Sequence, residues 1–290
     1  MRTVERFEVH LRQPDVSAEL LALDIASSLA PPLDVAAQLA RIDQLAQSAR
    51  AYLAVSNVDP PRAAEFLRVF NDGLAFHGSH DDTHDPCNSL LDAVIERRTG
   101  LPIMLCLLCI AIGRRLGLHI DGLGFPYHFM ARYVDDQGEW LLDPFNSAVV
   151  PIRESEQYLA SVVGRHIPLP QELFHPVTAH EMALRILNNL RSAYLRRSDT
   201  AQLLNVLSLQ TAIVPSNLHL WRDRAVLNFR QKAWEEAAHD LRRYFFLLGS
   251  LPHLFADDVQ AAFELSPLDG QDRRLVAMYR RIVHLLNHLN

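Results

Sequence analysis

The sequence predicts an α+β protein, because helical segments at both ends enclose a short stretch with strand periodicity. Near the start, apolar stripes recur at helical spacing over 20–29 and 39–49. The segment 103–116 is also helical, and its first residues, IMLCLLCIAIG, are apolar all round, which indicates burial on every side. The apolar period then changes to two over 120–133 and 140–150. A buried helix followed by an antiparallel hairpin is typical of an α+β core.

Three segments are expected from these patterns. Residues 1–70 form an N-terminal helical segment that packs on a core at 71–170, and helical repeats fill 175–290. Within the last segment, residues 193–204 align with residues 227–238 at an offset of 34 residues. That period, with helix-turn-helix patterning, resembles the tetratricopeptide repeat. Two repeats are fewer than a free-standing solenoid needs, so we expect them to lean on the preceding domain.

Composition excludes several function classes. The 290 residues carry a net charge of −6 and no basic block longer than an arginine pair, so no nucleic-acid partner is expected. The longest apolar run, 101–113, is too short to span a bilayer, which predicts no membrane partner. Three cysteines and a charged N-terminus without a secretory signal indicate a reducing compartment. We therefore expect a cytoplasmic, bacterial protein, and no motif calls for a cofactor.

The strongest candidate for chemistry is the pair formed by His128 and Asp143, fifteen residues apart on adjacent predicted strands. A hairpin between them brings the side chains within reach of each other. A buried carboxylate beside an imidazole is the orienting pair of a nucleophilic triad. The third member would be a thiol at the start of the helix 103–116, where the helix dipole and the imidazolium lower the thiol pKa.

Six motifs appear in order along the chain. They are Asp85-Pro86, Asn88-Ser89, Gly100-Leu101-Pro102-Ile103, RRLGL at 114–118, Gly124-x-Pro126-x-His128-Phe129 and Asp143-Pro144-Phe145-Asn146. Together they resemble the SirB-type, transglutaminase-like family, in which such a core precedes tetratricopeptide-like helices. The resemblance implies a papain-like Cys-His-Asp topology, with His128 and Asp143 in the family's His and Asp positions. It also implies that Asn146 belongs to a motif beside the cleft.

Other positions depart from the family's pattern. In active transglutaminase-like enzymes the cysteine stands in the first turn of the central helix, which here reads Pro102-Ile103-Met104. SirB-type members often have serine where Met104 aligns, and methionine offers neither a proton nor a nucleophilic oxygen. Tyr127 stands where glycine is common, and Cys87 where arginine is common. We expect the bulk of Tyr127 to narrow or fill the cleft.

The cysteines outside that first turn leave two interpretations open. Cys106 lies about 200° around the helix from Met104, so it should face the core if Met104 faces His128, and Met104→Cys should then bring a thiol close to the imidazole. Cys109 is about 140° off the same face, and packing is the favoured role of both cysteines. Cys87 lies in a polar loop, as an inert residue or as a displaced, mildly activated nucleophile.

The polar loop before the central helix holds His77, His80 and His84 among several aspartates. These are metal-ligand residue types, but the loop spacing favours a solvated segment, and no metal site is predicted. Asp85 and Asn88 are expected to cap the helix start and to hold the rim of the cleft.

The leading hypothesis is a non-catalytic or degenerate transglutaminase-like protein that acts as a binding or regulatory module. Its cleft would bind a ligand, and its helical repeats would dock a protein or peptide partner. In this interpretation His128 and Asp143 form a hydrogen-bonded core pair left from an ancestral triad. The alternative is a cysteine-type hydrolase or acyltransferase, with Cys87 or Cys106 as nucleophile, His128 as base and Asp143 as its orienter.

Overall fold

A computed structural model describes residues 3–30, 32–55, 62–80, 82–255 and 268–289 of the chain. The chain divides into two compact units, residues 1–197 and residues 198–290. The fold is α+β, as predicted, with one small antiparallel sheet among many helices.

Four helices open the first unit. They are α1 (Thr3–Leu11), α2 (Ala18–Leu29), α3 (Val35–Leu53) and α4 (Ala63–Arg68). Side-chain oxygens cap two of these helices, since Ser17 accepts from the third residue of α2 and Asp34 from the third residue of α3. Helix α2 is almost entirely buried and packs on α1, α3 and the central helix described next.

The central helix of the first unit is α6 (Pro102–Arg115), and every residue from Ile103 to Gly113 is buried. Proline suits its first position, where the backbone N–H has no helical partner. A short helix, α5 (Leu91–Arg97), precedes it. Two-residue strands, β1 (His77–Gly78) and β2 (Thr99–Gly100), pair in parallel beside the start of α6.

A four-stranded antiparallel sheet packs on α6. Its strands are β3 (His119–Leu123), β4 (Met130–Asp135), β5 (Gly138–Asp143) and β6 (Ala148–Pro151), in that order across the sheet. The two long strands expected from the sequence are thus interrupted at 124–129 and 144–147. Each interruption contains a proline, Pro126 or Pro144, which cannot donate to a sheet ladder. His128 therefore lies in a loop before β4, not on a strand as expected.

Two further helices complete the first unit, α7 (Ser155–Val163) and α8 (Ala179–Arg196). Helix α8 begins with a capping box between Thr178 and Glu181, and it packs on α2 and α6. Because of this packing it belongs to the first compact unit, although the sequence boundary at residue 175 grouped it with the repeats.

The second unit is entirely helical in the part that the structure describes. Its helices are α9 (Thr200–Ile213), α10 (Leu218–Arg230), α11 (Trp234–Leu247) and α12 (Gly270–Leu289). Consecutive helices pack on each other around a core that includes Ala225, Leu241 and Ile282. Helix α11 begins 34 residues after α9, and α10 ends 34 residues after α8, so the sequence period coincides with the helix boundaries.

Candidate functional site

The structure brings His128 and Asp143 into direct contact. The Nε2 atom of His128 lies 2.6 Å from Oδ2 of Asp143, and the two side chains are 5% and 0% exposed. Asp143 is the last residue of β5, and Ala131 in β4 pairs with Leu142. Because of this register, the loop before β4 lies next to the end of β5, and the imidazole and the carboxylate are side by side.

Asp143 is held by more than the imidazole. Its Oδ2 also accepts hydrogen bonds from Nδ2 of Asn146 and from the hydroxyl of Tyr158, each at 2.8 Å, and its Oδ1 accepts from the backbone N–H of Phe145. Burial raises the pKa of Asp143, but the hydrogen bond and charge of His128 with these other donors outweigh it, so the pKa is lowered. The carboxylate therefore stays ionised at neutral pH.

Tyr158 was not among the residues expected at the site. It lies in α7, and its hydroxyl reaches Asp143 because α7 packs against β6 at the edge of the sheet. Burial and the charge of Asp143 raise the pKa of Tyr158, which keeps the phenol protonated as a donor. A tyrosine on a short amphipathic helix carries no sequence signal for this role.

At the start of α6, no sulfur atom lines the cleft beside the loop that carries His128. Pro102 and Ile103 line that cleft, whereas Met104 is fully buried. A Cβ added at Gly100 would lie 3.5 Å from the Cβ of Met104, so Met104 packs next to β2. In the first turn of α6, where the family's nucleophile is expected, the residues that line the cleft are thus a proline and an isoleucine.

Cys106 faces the loop that carries His128, although its angle from Met104 around the helix predicted that it would face away. Its Sγ donates to the backbone carbonyl of Phe129, the residue after His128, at 3.2 Å. Burial and the nearby charge of Asp143 raise the pKa of the Cys106 thiol well above its ordinary value. Cys109, one turn further along, is also fully enclosed, and burial raises its pKa. Both thiols are therefore protonated at neutral pH.

Cys87 lies in a single turn of 3-10 helix, Pro86–Ser89, and is half-buried. Its backbone N–H donates to Oδ1 of Asp85, and burial together with the charge of Asp85 raises the pKa of its thiol. This direction is opposite to the activation that a displaced nucleophile needs, and burial is its largest cause.

Asp85 and Asn88 tie the polar loop to the start of α6. Asp85 caps the turn that holds Cys87, and its other oxygen accepts from Nη1 of Arg97 at 2.8 Å. Asn88 is buried, and its side-chain amide donates to Oγ of Ser79 at 2.9 Å, while its backbone carbonyl accepts from the backbone N–H of Leu101. These bonds fix the loop against Leu101, the residue before the central helix.

The histidine loop shows no metal-binding arrangement in the described residues, where no three His, Cys, Asp or Glu side chains converge on one point. Instead the ring of His80 packs edge-on against Phe145, with ring centroids 4.6 Å apart. Phe145 in turn packs against the ring of His128 at 6.3 Å. The loop thus shields the imidazole.

A cleft of about 240 Å³ opens beside this cluster in the first unit. Residues on both sides of His128 in the sequence border it, as do residues of the polar loop, of the start of α6 and of α8. They are Thr83, His84, Leu101, Pro102, Ile103, Tyr127, Phe129, Arg185, Asn189 and Ser192.

Tyr127 has an unusual backbone for a bulky residue, with a φ of +65°. Its side chain is 70% exposed, and the guanidinium of Arg165 lies 4.7 Å above its ring. The ring therefore stands at the mouth of the cleft, where it can narrow the entrance as expected but does not fill the space.

A separate groove of about 450 Å³ lies in the second unit, between α9, α10 and α11. At its base Arg224 forms a two-pronged ion pair with the buried carboxylate of Asp240, at 2.6 and 2.9 Å. Asn228 donates to the same carboxylate. Glu235 and Glu236 line the groove as well, and in the described part of the second unit no lysine or second arginine does. The groove is therefore polar and acidic.

Comparison with known proteins identifies the family of this chain. The sequence profile described as "Transglutaminase-like superfamily" matches residues 36–188, which is more than half of the chain, and a tetratricopeptide-repeat profile matches residues 190–281. The chain belongs to the transglutaminase-like superfamily. The SirB-type subdivision suggested by the motifs stays a prediction.

Relatives of this transglutaminase-like protein occur in bacteria and in animals. A UPF0162 protein of Xylella fastidiosa (strain 9a5c) is 30% identical over 233 residues, which cover 79% of this chain and 83% of the relative. A UPF0162 protein of Vibrio cholerae is 28% identical over 63% of this chain and 68% of its own length. The F-box only protein 21 of Homo sapiens is 30% identical over 58% of this chain, but over only 28% of its own length.

Among solved structures, menin overlaps 97% of this transglutaminase-like chain and 81% of its own chain, with 13% identity and a TM-score of 0.38. At that score the likeness supports no conclusion about fold or function. Within the described residues, no helix of the transglutaminase-like protein is long and apolar enough to cross a membrane.

Proposed function

We propose that this transglutaminase-like protein is a protein-interaction module without thiol catalysis. The observation that carries the proposal is the environment of its three cysteines. Cys106 and Cys109 are fully enclosed, and the pKa of all three thiols is raised. Since the thiolate is the nucleophile in papain-like chemistry, each of these shifts opposes catalysis at neutral pH.

The intact pair of His128 and Asp143 then has a structural role. Removal of either partner would leave a buried polar group without its hydrogen bond, which is costly whether or not the site performs chemistry. The pair connects the loop before β4 to the end of β5 and, through Tyr158, to α7. We interpret it as a clamp that keeps the cleft in shape.

The helical repeats supply the surface for a protein partner. Tetratricopeptide repeats generally present grooves to extended or helical segments of other proteins. The groove between α9, α10 and α11 has a volume of about 450 Å³ and an acidic lining. The ion pair of Arg224 and Asp240 fixes the base of this groove.

Thiol labelling tests the non-catalytic part of this proposal. The native protein is alkylated with iodoacetamide over a range of pH, sites are assigned by mass spectrometry, and His128→Ala is the control. We expect slow labelling of Cys87 and protection of Cys106 and Cys109 until the protein unfolds. Fast labelling of one cysteine near neutral pH that disappears in His128→Ala would overturn the proposal.

A site-specific photo-crosslinker tests the protein-binding part. It is placed at Glu236 in the groove and, as a matched control, at Glu139 on strand β5. We expect one defined protein product from the groove position in the native host cell, and its loss when Asn205→Trp fills the groove. Equal products from both positions, or insensitivity to Asn205→Trp, would contradict a role for this groove.

The alternative function is that of a cysteine hydrolase or acyltransferase. It is favoured by one observation, the proximity of the Cys106 sulfur to the carbonyl of Phe129, next to a complete imidazole–carboxylate pair. In that case an opening motion would have to expose Cys106 and lower its pKa. The labelling experiment distinguishes the two functions, since only the enzyme predicts fast alkylation of Cys106 that depends on His128.

A further inference from the structure

Among the described residues, Arg185 is the only arginine or lysine that lines the cleft of the first unit. It extends from α8, and its Nη2 donates to the backbone carbonyl of Phe125 at 3.1 Å. Its guanidinium lies 5.5 Å from the ring centroid of Phe129. Within the described residues no carboxylate lies within ion-pair distance of it. One backbone carbonyl leaves most of its five N–H donors without a protein acceptor.

The nearby carboxylates are already paired with other arginines. Asp85 lies 2.8 Å from Arg97 and 3.3 Å from Arg197, and Asp82 lies 3.9 Å from Arg197. Their negative charges are therefore compensated on the loop side of the cleft. Arg185 faces the remaining space without a counter-charge of its own.

Polar groups stand beside the guanidinium on the same face of α8. Asn189 and Ser192 follow Arg185 at spacings of four and seven residues, so the three side chains form one row along the cleft. Asn189 can donate or accept through its amide, and Ser192 through its hydroxyl. This row forms a polar wall.

The opposite wall is apolar. Leu101, Pro102 and Ile103 form it at the start of α6, and the ring of Phe129 extends it. A ligand that fits both walls has an anionic head for the guanidinium and a short carbon stem for the apolar side. The volume of about 240 Å³ suits a group of side-chain size rather than a large cofactor.

Desolvation makes the guanidinium receptive to an anion. Burial lowers the pKa of Arg185, and its contacts in the described residues are a backbone carbonyl and an aromatic ring rather than a carboxylate. A carboxylate accepts two parallel N–H bonds from guanidinium and so restores what the charge has lost. Arg165, above the exposed ring of Tyr127, adds a second positive charge at the mouth.

We propose that this cleft is a carboxylate-binding site, in which Arg185 holds the carboxylate and the start of α6 holds the carbon stem that carries it. The ligand is an acidic side chain or chain terminus of a protein partner. The inference deepens the proposed function, because it assigns an occupant to the cleft of a binding protein.

Nuclear magnetic resonance of the arginine side chains tests this directly on the native chain. The Nε–H resonance of Arg185, assigned with Arg185→Lys, is followed while N-acetylglutamate is added. The amide of N-acetylglutamine, in which both carboxylates are replaced by carboxamides, is the uncharged ligand control. We expect a saturable shift with N-acetylglutamate in the millimolar range and none with the amide of N-acetylglutamine.

Two variants separate the site from general charge effects. Arg185→Gln should abolish the response, read from the Asn189 amide, whereas Arg196→Gln, which removes the same charge from the last residue of α8, should leave it unchanged. An unsaturable response, or an equal response in both variants, would overturn the inference. Binding of inorganic phosphate without binding of N-acetylglutamate would overturn the carboxylate assignment.

Failure of this titration is distinguishable from failure of the proposed function. The titration does not involve a thiol, so an activated cysteine would overturn the non-catalytic proposal whatever the carboxylate does. Conversely, a protein that labels slowly and binds no carboxylate would keep the proposed function and lose this inference.

Discussion

The Nε2 atom of His128 and the Oδ2 atom of Asp143 lie 2.6 Å apart, in a cluster that is shut off from solvent. Around them Asn146 and Tyr158 donate to the same carboxylate. Several donors therefore converge on one buried carboxylate.

Replacement of Asp143 by alanine should destabilise the protein strongly. The change leaves His128, Asn146 and Tyr158 without their common acceptor, and loss of one partner of a buried charged pair costs about 3–5 kcal/mol. Urea unfolding measures the difference in the free energy of unfolding. Asp136→Ala, at an exposed position of the β4–β5 turn, is the matched control and should change stability by less than about 0.5 kcal/mol.

The contribution of Asp143 should also depend on pH with a defined sign. Its folded pKa is lowered, so its ionised form stabilises the folded protein above its ordinary pKa of about 3.9, and this stabilisation is lost as the pH falls through the lowered value. The difference in unfolding free energy between the wild type and Asp143→Asn should shrink as the pH falls below about 4. A difference that grows toward acid would contradict the assigned direction.

Gly78 is predicted to be intolerant of a side chain. A Cβ at this position would lie 2.6 Å from the backbone carbonyl of Phe145 and 2.8 Å from its ring, so Gly78→Ala must separate β1 from the loop after Asp143. Overpacking of this kind costs about 1–3 kcal/mol. Gly270→Ala is the control, because nothing lies within 4 Å of a Cβ there. Thermal unfolding should show a loss for the first variant alone.

The sequence predicted the fold class and the meeting of His128 with the end of β5 because hydrophobic periodicity and hairpin length are local signals. It could not place Arg98 in the left-handed region with a φ of +59°, since a glycine after an amphipathic helix is the usual candidate for that role. The nearby Gly100 instead lies in β2, where a Cβ would come within 2.9 Å of Val94. Packing between elements, not local preference, decides this position.

Packing between elements also explains why the sequence did not predict two residues of the site. Tyr158 and Arg185 reach the cluster and the cleft from α7 and α8, which follow the predicted hairpin in the chain. Nothing in the spacing of these residues relates them to His128, because tertiary packing alone brings the helices back to the sheet. The orientation of Cys106 toward Phe129 likewise depends on how α6 is rotated against β4. Helical periodicity gives angles between residues on one helix, but not the rotation of that helix against its neighbours.

A thiol introduced at Pro102 should become reactive, whereas one introduced at Met104 should not. Pro102 is the first residue of α6 and lines the cleft, while Met104 is fully buried. A cysteine at a helix N-terminus gains from the helix dipole, so its pKa should fall below the ordinary value of about 8.5. Iodoacetamide labelling against pH measures that pKa in Pro102→Cys, with Met104→Cys as the matched control on the same turn.

We expect Pro102→Cys to be alkylated near neutral pH faster than the native Cys87, and Met104→Cys to stay protected until the protein unfolds. The pKa of this thiol in the double variant Pro102→Cys with His128→Ala measures whether the imidazole contributes to it. The opposite result, with a reactive thiol in Met104→Cys and an ordinary thiol pKa in Pro102→Cys, would mean that α6 presents residue 104 rather than residue 102 to the imidazole. Such a result would place the missing nucleophile at Met104 and restore the register that sequence analysis expected.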